Sequence, residues 1–118
     1  MSVMTPTEFL GAVPIDGYGP GFFRVGGKVH RGAILVTPDG VQPWGGLDDP
    51  VPLLALKGSV DVLFIGMGSD VAFPPRELTA ALEEAGVMPE PMSSASAARS
   101  YNVTLSEGRR VACALLPL

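Results

Sequence analysis

Two stretches of this chain have no polar face. Val60-Asp61-Val62-Leu63-Phe64-Ile65-Gly66 is β-branched or aromatic nearly throughout and apolar on both sides beyond Asp61. In Arg110 to Leu116, Val111, Cys113 and Leu115 line one face of an extended segment while Ala112, Ala114 and Leu116 line the other. Strands of that kind must be covered from both sides, the condition of inner strands in an α/β sheet. Placing one of them at the very end of the chain means that the chain finishes inside its own sheet. With 118 residues, 47% of them apolar and 17% charged, the chain is large enough for one packed core of this type.

The remaining segments supply the covering layers. Met1 to Pro14 opens on a Thr-Pro-Thr-Glu cluster without periodicity and reads as a loosely held lead-in, so the single α/β domain is expected over residues 15–118. Phe22 to Val25 lies among glycines as turn, short strand, turn, and Gly26-Gly27 makes a hairpin connection into Lys28 to Thr37, read as one strand that enters the core as it proceeds. Pro38-Asp39-Gly40 has the residues of a tight turn and leads to Val41 to Trp44, a second hairpin. Asp48-Asp49-Pro50 precedes a short helix carrying Val51, Leu54, Ala55 and Leu56.

Pro74 and Pro75 open a further helix, with Leu78, Ala81, Leu82 and Ala85 at helical spacing and Gly86 as its stop. Val87 to Met92 is a strand that Pro89 and Pro91 confine to a sheet edge, because proline donates no ladder hydrogen bond. Ser93 or Ser94 caps a last helix, Ala95 to Tyr101, closed at Asn102, and Glu107-Gly108 forms the tip of a turn between Val103-Thr104-Leu105 and the final strand. Strand, helix, strand, helix, strand follows a β-rich N-terminal half, which defines an α/β sandwich.

Charge and composition narrow the function classes. A net charge of −4 runs against tight nucleic-acid binding, which needs clustered cations to displace counterions, and Arg24, Lys28 and Arg31, like Arg109 and Arg110, read as solvated turn and hairpin charges. Val60 to Met67 is the longest apolar run, far below the roughly 20 residues that cross a bilayer as a helix. No basic stretch followed by an apolar one marks a secretory signal, so a cytoplasmic protein without membrane insertion is expected. Cys113 has no partner cysteine, and His30, the one histidine, has no carboxylate or cysteine at metal-ligand spacing; neither a metal nor a cofactor is expected.

Three groups of residues carry the candidate sites. Gly66-Met67-Gly68-Ser69 leaves the carboxyl end of the strongest strand, where open α/β sheets bind ligands, and Gly66, Gly68 and Ser69 offer close backbone approach and a hydroxyl. A phosphate loop runs straight into a helix, whereas here Asp70, Phe73 and two prolines intervene, so a plain tight turn is the competing reading. Ser93 and Ser94 follow the neighbouring strand and either face the same crevice or simply cap the helix. Arg99 offers a guanidinium to a carboxylate or phosphate, with a tie from Arg99 or Asn102 to nearby backbone carbonyls as the structural alternative. Tyr18, Phe22 and Trp44 are candidate partner-binding aromatics, set against core packing. No hydrolase elbow, paired-histidine motif or phosphate-binding lysine loop is present, and no catalytic residue is assigned.

Five segments in order, Ile15-Asp16-Gly17-Tyr18-Gly19, Phe23-Arg24-Val25-Gly26-Gly27, Gly40-Val41-Gln42-Pro43-Trp44, Leu63-Phe64-Ile65-Gly66-Met67-Gly68 and Arg99-Ser100-Tyr101-Asn102-Val103, carry a resemblance that covers Ile15 to Leu116. The chain resembles the uncharacterised domain family that includes the mitochondrial complex I assembly factor of the third type and the adipogenesis-associated domain protein. The resemblance implies a three-layer α/β fold around a mixed sheet, with the last strand antiparallel to its neighbours. It implies no catalytic residues. The expected function is a non-enzymatic binding or assembly-type module with a protein partner; the alternative is a small-molecule or anion-binding protein, or an enzyme, using the crevice at the strand ends.

Overall fold

Glycine turns cut the first third of the chain into short strands. The computed structural model describes residues 13–70 and 72–118, and most of the expected lead-in, residues 1–12, lies outside them. Strands β1 (Ile15–Gly19), β2 (Phe22–Val25) and β3 (Lys28–Arg31) form an antiparallel three-stranded sheet in the order β1-β2-β3. Its inner face carries Ile15, Phe23 and Val25, all buried, while Phe22 and Arg24 turn the other way, as the two-residue period of a strand requires.

Lys28 to Thr37 does not run as one strand. Gly32 has a φ of 80° and its amide donates to the carbonyl of Gly21 at 3.0 Å, so the chain leaves the small sheet there and β4 (Ile34–Thr37) starts in another. The positive φ is open to glycine at little cost and to other residues only with strain, which is why the break falls at this position. β4 pairs with β5 (Gly40–Pro43) through the expected Pro38-Asp39-Gly40 turn, with Thr37 opposite Gly40.

The main sheet has five strands. With β6 (Val62–Gly66), β7 (Met88–Met92) and β8 (Val111–Leu115), its order is β5-β4-β8-β6-β7. Both two-faced apolar segments are interior: β8 is buried at every residue and β6 at all but Val62. The proline-bearing β7 is an edge. The sheet is mixed, but the direction expected for the last strand is corrected at one neighbour: β8 is antiparallel to β4 and parallel to β6. The cause is the helix between β7 and β8, which carries the chain back to the starting end of the sheet before the last strand begins.

Helices complete the layers. α1 (Val51–Leu54) and α2 (Arg76–Glu84) lie on one face, and α3 (Ser94–Ser106) lies on the other beside the three-stranded sheet. From β6 the chain steps outward to β7, and from β7 it steps back across β6 to β8, so right-handed crossovers place α2 and α3 on opposite faces. One core packs Ile15, Phe23 and Val25 with Ala97, Tyr101 and Leu105 of α3 against Val36, Phe64 and Cys113. The other packs Trp44, Leu53, Leu78 and Leu82 against Leu35, Leu63, Ile65 and Ala112.

The last helix does not close at Asn102. It runs on to Ser106, because Leu105 falls four residues after the buried Tyr101 on the same face and is itself buried. Thr104, a residue with strand preference, directs its hydroxyl to the carbonyl of Ser100 at 2.8 Å, inside the helix.

Candidate functional site

The loops after β6 and β7 leave toward opposite faces of the sheet, which makes the gap outside their carboxyl ends the position where α/β sheets bind ligands. In this chain the gap is filled from within. Ser94 is fully buried; its hydroxyl accepts from the amide of Gly68 at 2.9 Å and donates to the carbonyl of Leu116 at 2.6 Å. The Ser94 amide donates to the Gly68 carbonyl at 2.8 Å, the Met67 amide to the Met92 carbonyl at 2.7 Å, and the Leu116 amide to the Gly66 carbonyl at 2.9 Å. One serine thus joins the loop after β6, the start of α3 and the residue after β8.

Gly66 and Gly68 are glycines for reasons of space and angle. A Cβ on Gly66 would stand 2.7 Å from the Ser94 Cα and 2.7 Å from a Leu115 methyl. Gly68 has a φ of +91°, and a Cβ there would face the Pro117 carbonyl at 3.5 Å. The chain's own last residues therefore occupy the approach that a phosphate or carboxylate would take.

The other residues singled out from sequence are distributed as follows. Ser93 caps α3, accepting from the Ser96 amide at 3.3 Å. Ser69 is exposed beside Gly68. Arg99 is exposed, and its guanidinium donates to the Tyr18 hydroxyl and to the Ser96 hydroxyl, each at 3.3 Å. The structural tie falls to Asn102, whose side-chain amide donates to the Ile15 carbonyl at 2.7 Å and whose carbonyl accepts from the Ile15 amide at 2.8 Å.

The three aromatics separate. Trp44 belongs to the core and donates its indole N–H to the Asp49 carbonyl at 3.0 Å. Phe22 is half-buried, its ring lying over Gly19 in the space a Cβ would need. Tyr18 is 40% exposed.

A concavity that the sequence reading does not single out lies between α1 and α2. It holds about 360 Å³, walled by Leu47, Pro50, Leu54, Pro75, Leu78 and Ala81, with the acidic residues Asp48 and Glu77 also on its lining. Leu78 and Ala81 have the spacing of an ordinary buried helix face, so nothing local distinguishes a groove wall from a core position. The available signal is the pairing of Asp48-Asp49-Pro50 with Pro74-Pro75-Arg76-Glu77, two proline-stiffened, acidic helix entries. Among the described residues, no group of three histidine, cysteine, aspartate or glutamate side chains is placed to hold a metal ion. Nor is any helix among them long and apolar enough to cross a membrane.

The fold has clear counterparts among solved structures. The chain is similar to a crystal structure described as an outer membrane protein from Bartonella henselae, with 35% identity and a TM-score of 0.82 over 93% of this chain and 98% of that one. It is also similar to a solution structure of a Bordetella pertussis protein described as an Mth938-like domain, with 28% identity and a TM-score of 0.77 over 99% of this chain and 92% of that one. The class is therefore that of the Mth938-like α/β domains. Within it, the chain belongs to the family described as "Protein of unknown function (DUF498/DUF598)", whose sequence pattern matches residues 15–116. A relative from Rhodobacter capsulatus, described as an uncharacterized protein, is 60% identical over 117 residues, spanning 98% of this chain and 94% of the relative.

Proposed function

We propose that this chain is a non-enzymatic, protein-binding module of the assembly type, acting in the cytoplasm, in line with its resemblance to the complex I assembly factor family. The observation that carries this reading is the filled crevice. The position where this class of sheet binds small ligands is occupied by Leu115, Ser94 and the Leu116 carbonyl, and the Ser94 hydroxyl already donates and accepts. Among the described residues, the ionisable side chains with displaced pKa values do not form a reaction centre either. Tyr101 and Cys113 are sealed in the core, and Asp61 and Arg110 form an exposed ion pair at the amino ends of β6 and β8.

The test is affinity capture from native lysate with the full chain, across a salt series. The expected result is a specific partner retained at moderate salt; recovery of none at any salt overturns the reading. A thermal-shift screen with phosphate and small carboxylates addresses the alternative. Stabilisation of the wild type that Arg99→Ala abolishes would move the assignment to an anion site formed by Ser69, Ser93 and Arg99.

A further inference from the structure

We propose that the acidic groove between α1 and α2 docks a partner segment that presents neighbouring aliphatic side chains flanked by lysine or arginine, patterned as an amphipathic helix. This rests on the protein-binding reading above and gives it a surface and a partner chemistry.

The groove is unfinished as packing. Leu47 and Leu54 sit at the margin of the second core, only partly buried, although both are large apolar residues. Next in sequence to the lining residue Pro50, Val51 on α1 is 72% exposed, and Phe73, two residues before the lining residue Pro75, is 79% exposed; these are the two most exposed large apolar side chains among the described residues. A hydrophobic patch interrupted by a cleft and bordered by charge is the usual form of a docking site. A cleft between two helices accepts the anchors of an amphipathic helix. A volume of about 360 Å³ has room for a few side chains and not for a folded lobe.

Charge selects the partner. Across residues 47–57 and 74–85 five acidic residues, Asp48, Asp49, Glu77, Glu83 and Glu84, outnumber two cations, Lys57 and Arg76. Asp48 and Glu77 line the groove itself. A neutral or acidic occupant covering Leu54 and Ala81 would desolvate these carboxylates without compensation, whereas lysine or arginine beside the aliphatic anchors pairs with them as the apolar surface closes. The chain's single tryptophan reports on this site, because the Trp44 indole is bonded to the Asp49 carbonyl, between Asp48 and Pro50 of the lining.

The experiment is a titration of the full chain, read by Trp44 emission, with a tryptophan-free Leu/Lys peptide patterned as an amphipathic helix and with its Leu/Glu counterpart. The Leu/Lys peptide is expected to saturate the wild type. Ala81→Lys, which fills the groove and offsets part of its negative charge, is expected to weaken binding by at least about tenfold. Glu77→Lys, on the exposed rim and away from the core, should weaken it in the same direction. Ala80→Lys, at an exposed position one residue earlier on α2, adds the same charge outside the groove and should bind within about twofold of wild type.

Equal binding of the Leu/Glu peptide, wild-type affinity in Ala81→Lys, or an equal loss in Ala80→Lys would overturn the proposal. A self-association of the free chain that Ala81→Lys abolishes would make a second copy the occupant and overturn it as well. If Ala81→Lys captures the same lysate partner as wild type, the groove assignment fails while the protein-binding reading stands; if wild type captures none, both fail.

Discussion

Asn102 shows how one side chain can join two layers. It meets both backbone groups of Ile15, 87 residues away, in a pair of short hydrogen bonds that fix β1 to α3. The residue type was readable as a helix-end polar group with a backbone partner, but the partner was not, since nothing local links positions 15 and 102. Ser94 behaves alike: its place at the head of α3 follows from sequence, whereas the consumption of its hydroxyl depends on Leu116, 22 residues on.

Two core residues give a prediction on pH. Burial pushes the Cys113 thiol well above its ordinary value near 9.0, and burial, with Cys113 as a lesser cause, pushes the Tyr101 phenol above its ordinary 10.0. Both stay protonated in the fold while the unfolded chain releases their protons, so the stability they contribute is complete below about pH 9 and is lost as the pH rises. Urea midpoints measured from about pH 7 to pH 11 should fall above that point, and a flat profile would contradict the assignment. The Tyr101 hydroxyl has no hydrogen-bond partner among the described residues. Tyr101→Phe should therefore remove the phenol's share of the decline and leave neutral-pH stability equal or higher, since an unpaired buried hydroxyl is a net cost.

At the level of strands and helices, β7 illustrates protection of an edge. The Met88 amide donates to Asp61 and the Met92 carbonyl accepts from Met67, so even-numbered residues face β6. Pro89 and Pro91 then turn their backbone nitrogens, which carry no hydrogen, toward the open side. The sequence told this much, because proline is excluded from inner strands. Replacing both, Pro89→Val and Pro91→Val, should expose two amide donors and produce concentration-dependent self-association in sedimentation velocity with the circular dichroism unchanged; a monomer at all concentrations would rule out the edge-guarding role. α3 was harder to read: Val103-Thr104-Leu105 has strand-forming residues, and the helix prevails there because Leu105 reaches the first core from a helical position.

The whole molecule is built around one five-stranded sheet with a core on each face. The faces share a backbone, since Ala112 and Ala114 of β8 point into one core and Val111, Cys113 and Leu115 into the other. The two cores should therefore open together. Trp44 emission reports the second core and labelling of the buried Cys113 thiol the first, and their urea midpoints are expected to coincide; separated midpoints would mean that the layers unfold independently.

Which features could be read from residues alone depends on how far apart in the chain the interacting groups lie. Burial on two faces is written in adjacent residues, so the inner positions of β6 and β8, the edge position of β7 and the α/β class follow from short stretches of sequence. The break at Gly32, the direction of β8, the Asn102 tie and the closing of the strand-end crevice by Ser94 and the last residues do not. Each depends on groups that are distant in the chain and meet only when the layers pack, because hydrogen bonding and steric exclusion act through space. The groove between α1 and α2 is of the same kind: Leu54 and Ala81 look like core residues until the packing leaves their side of the layer uncovered.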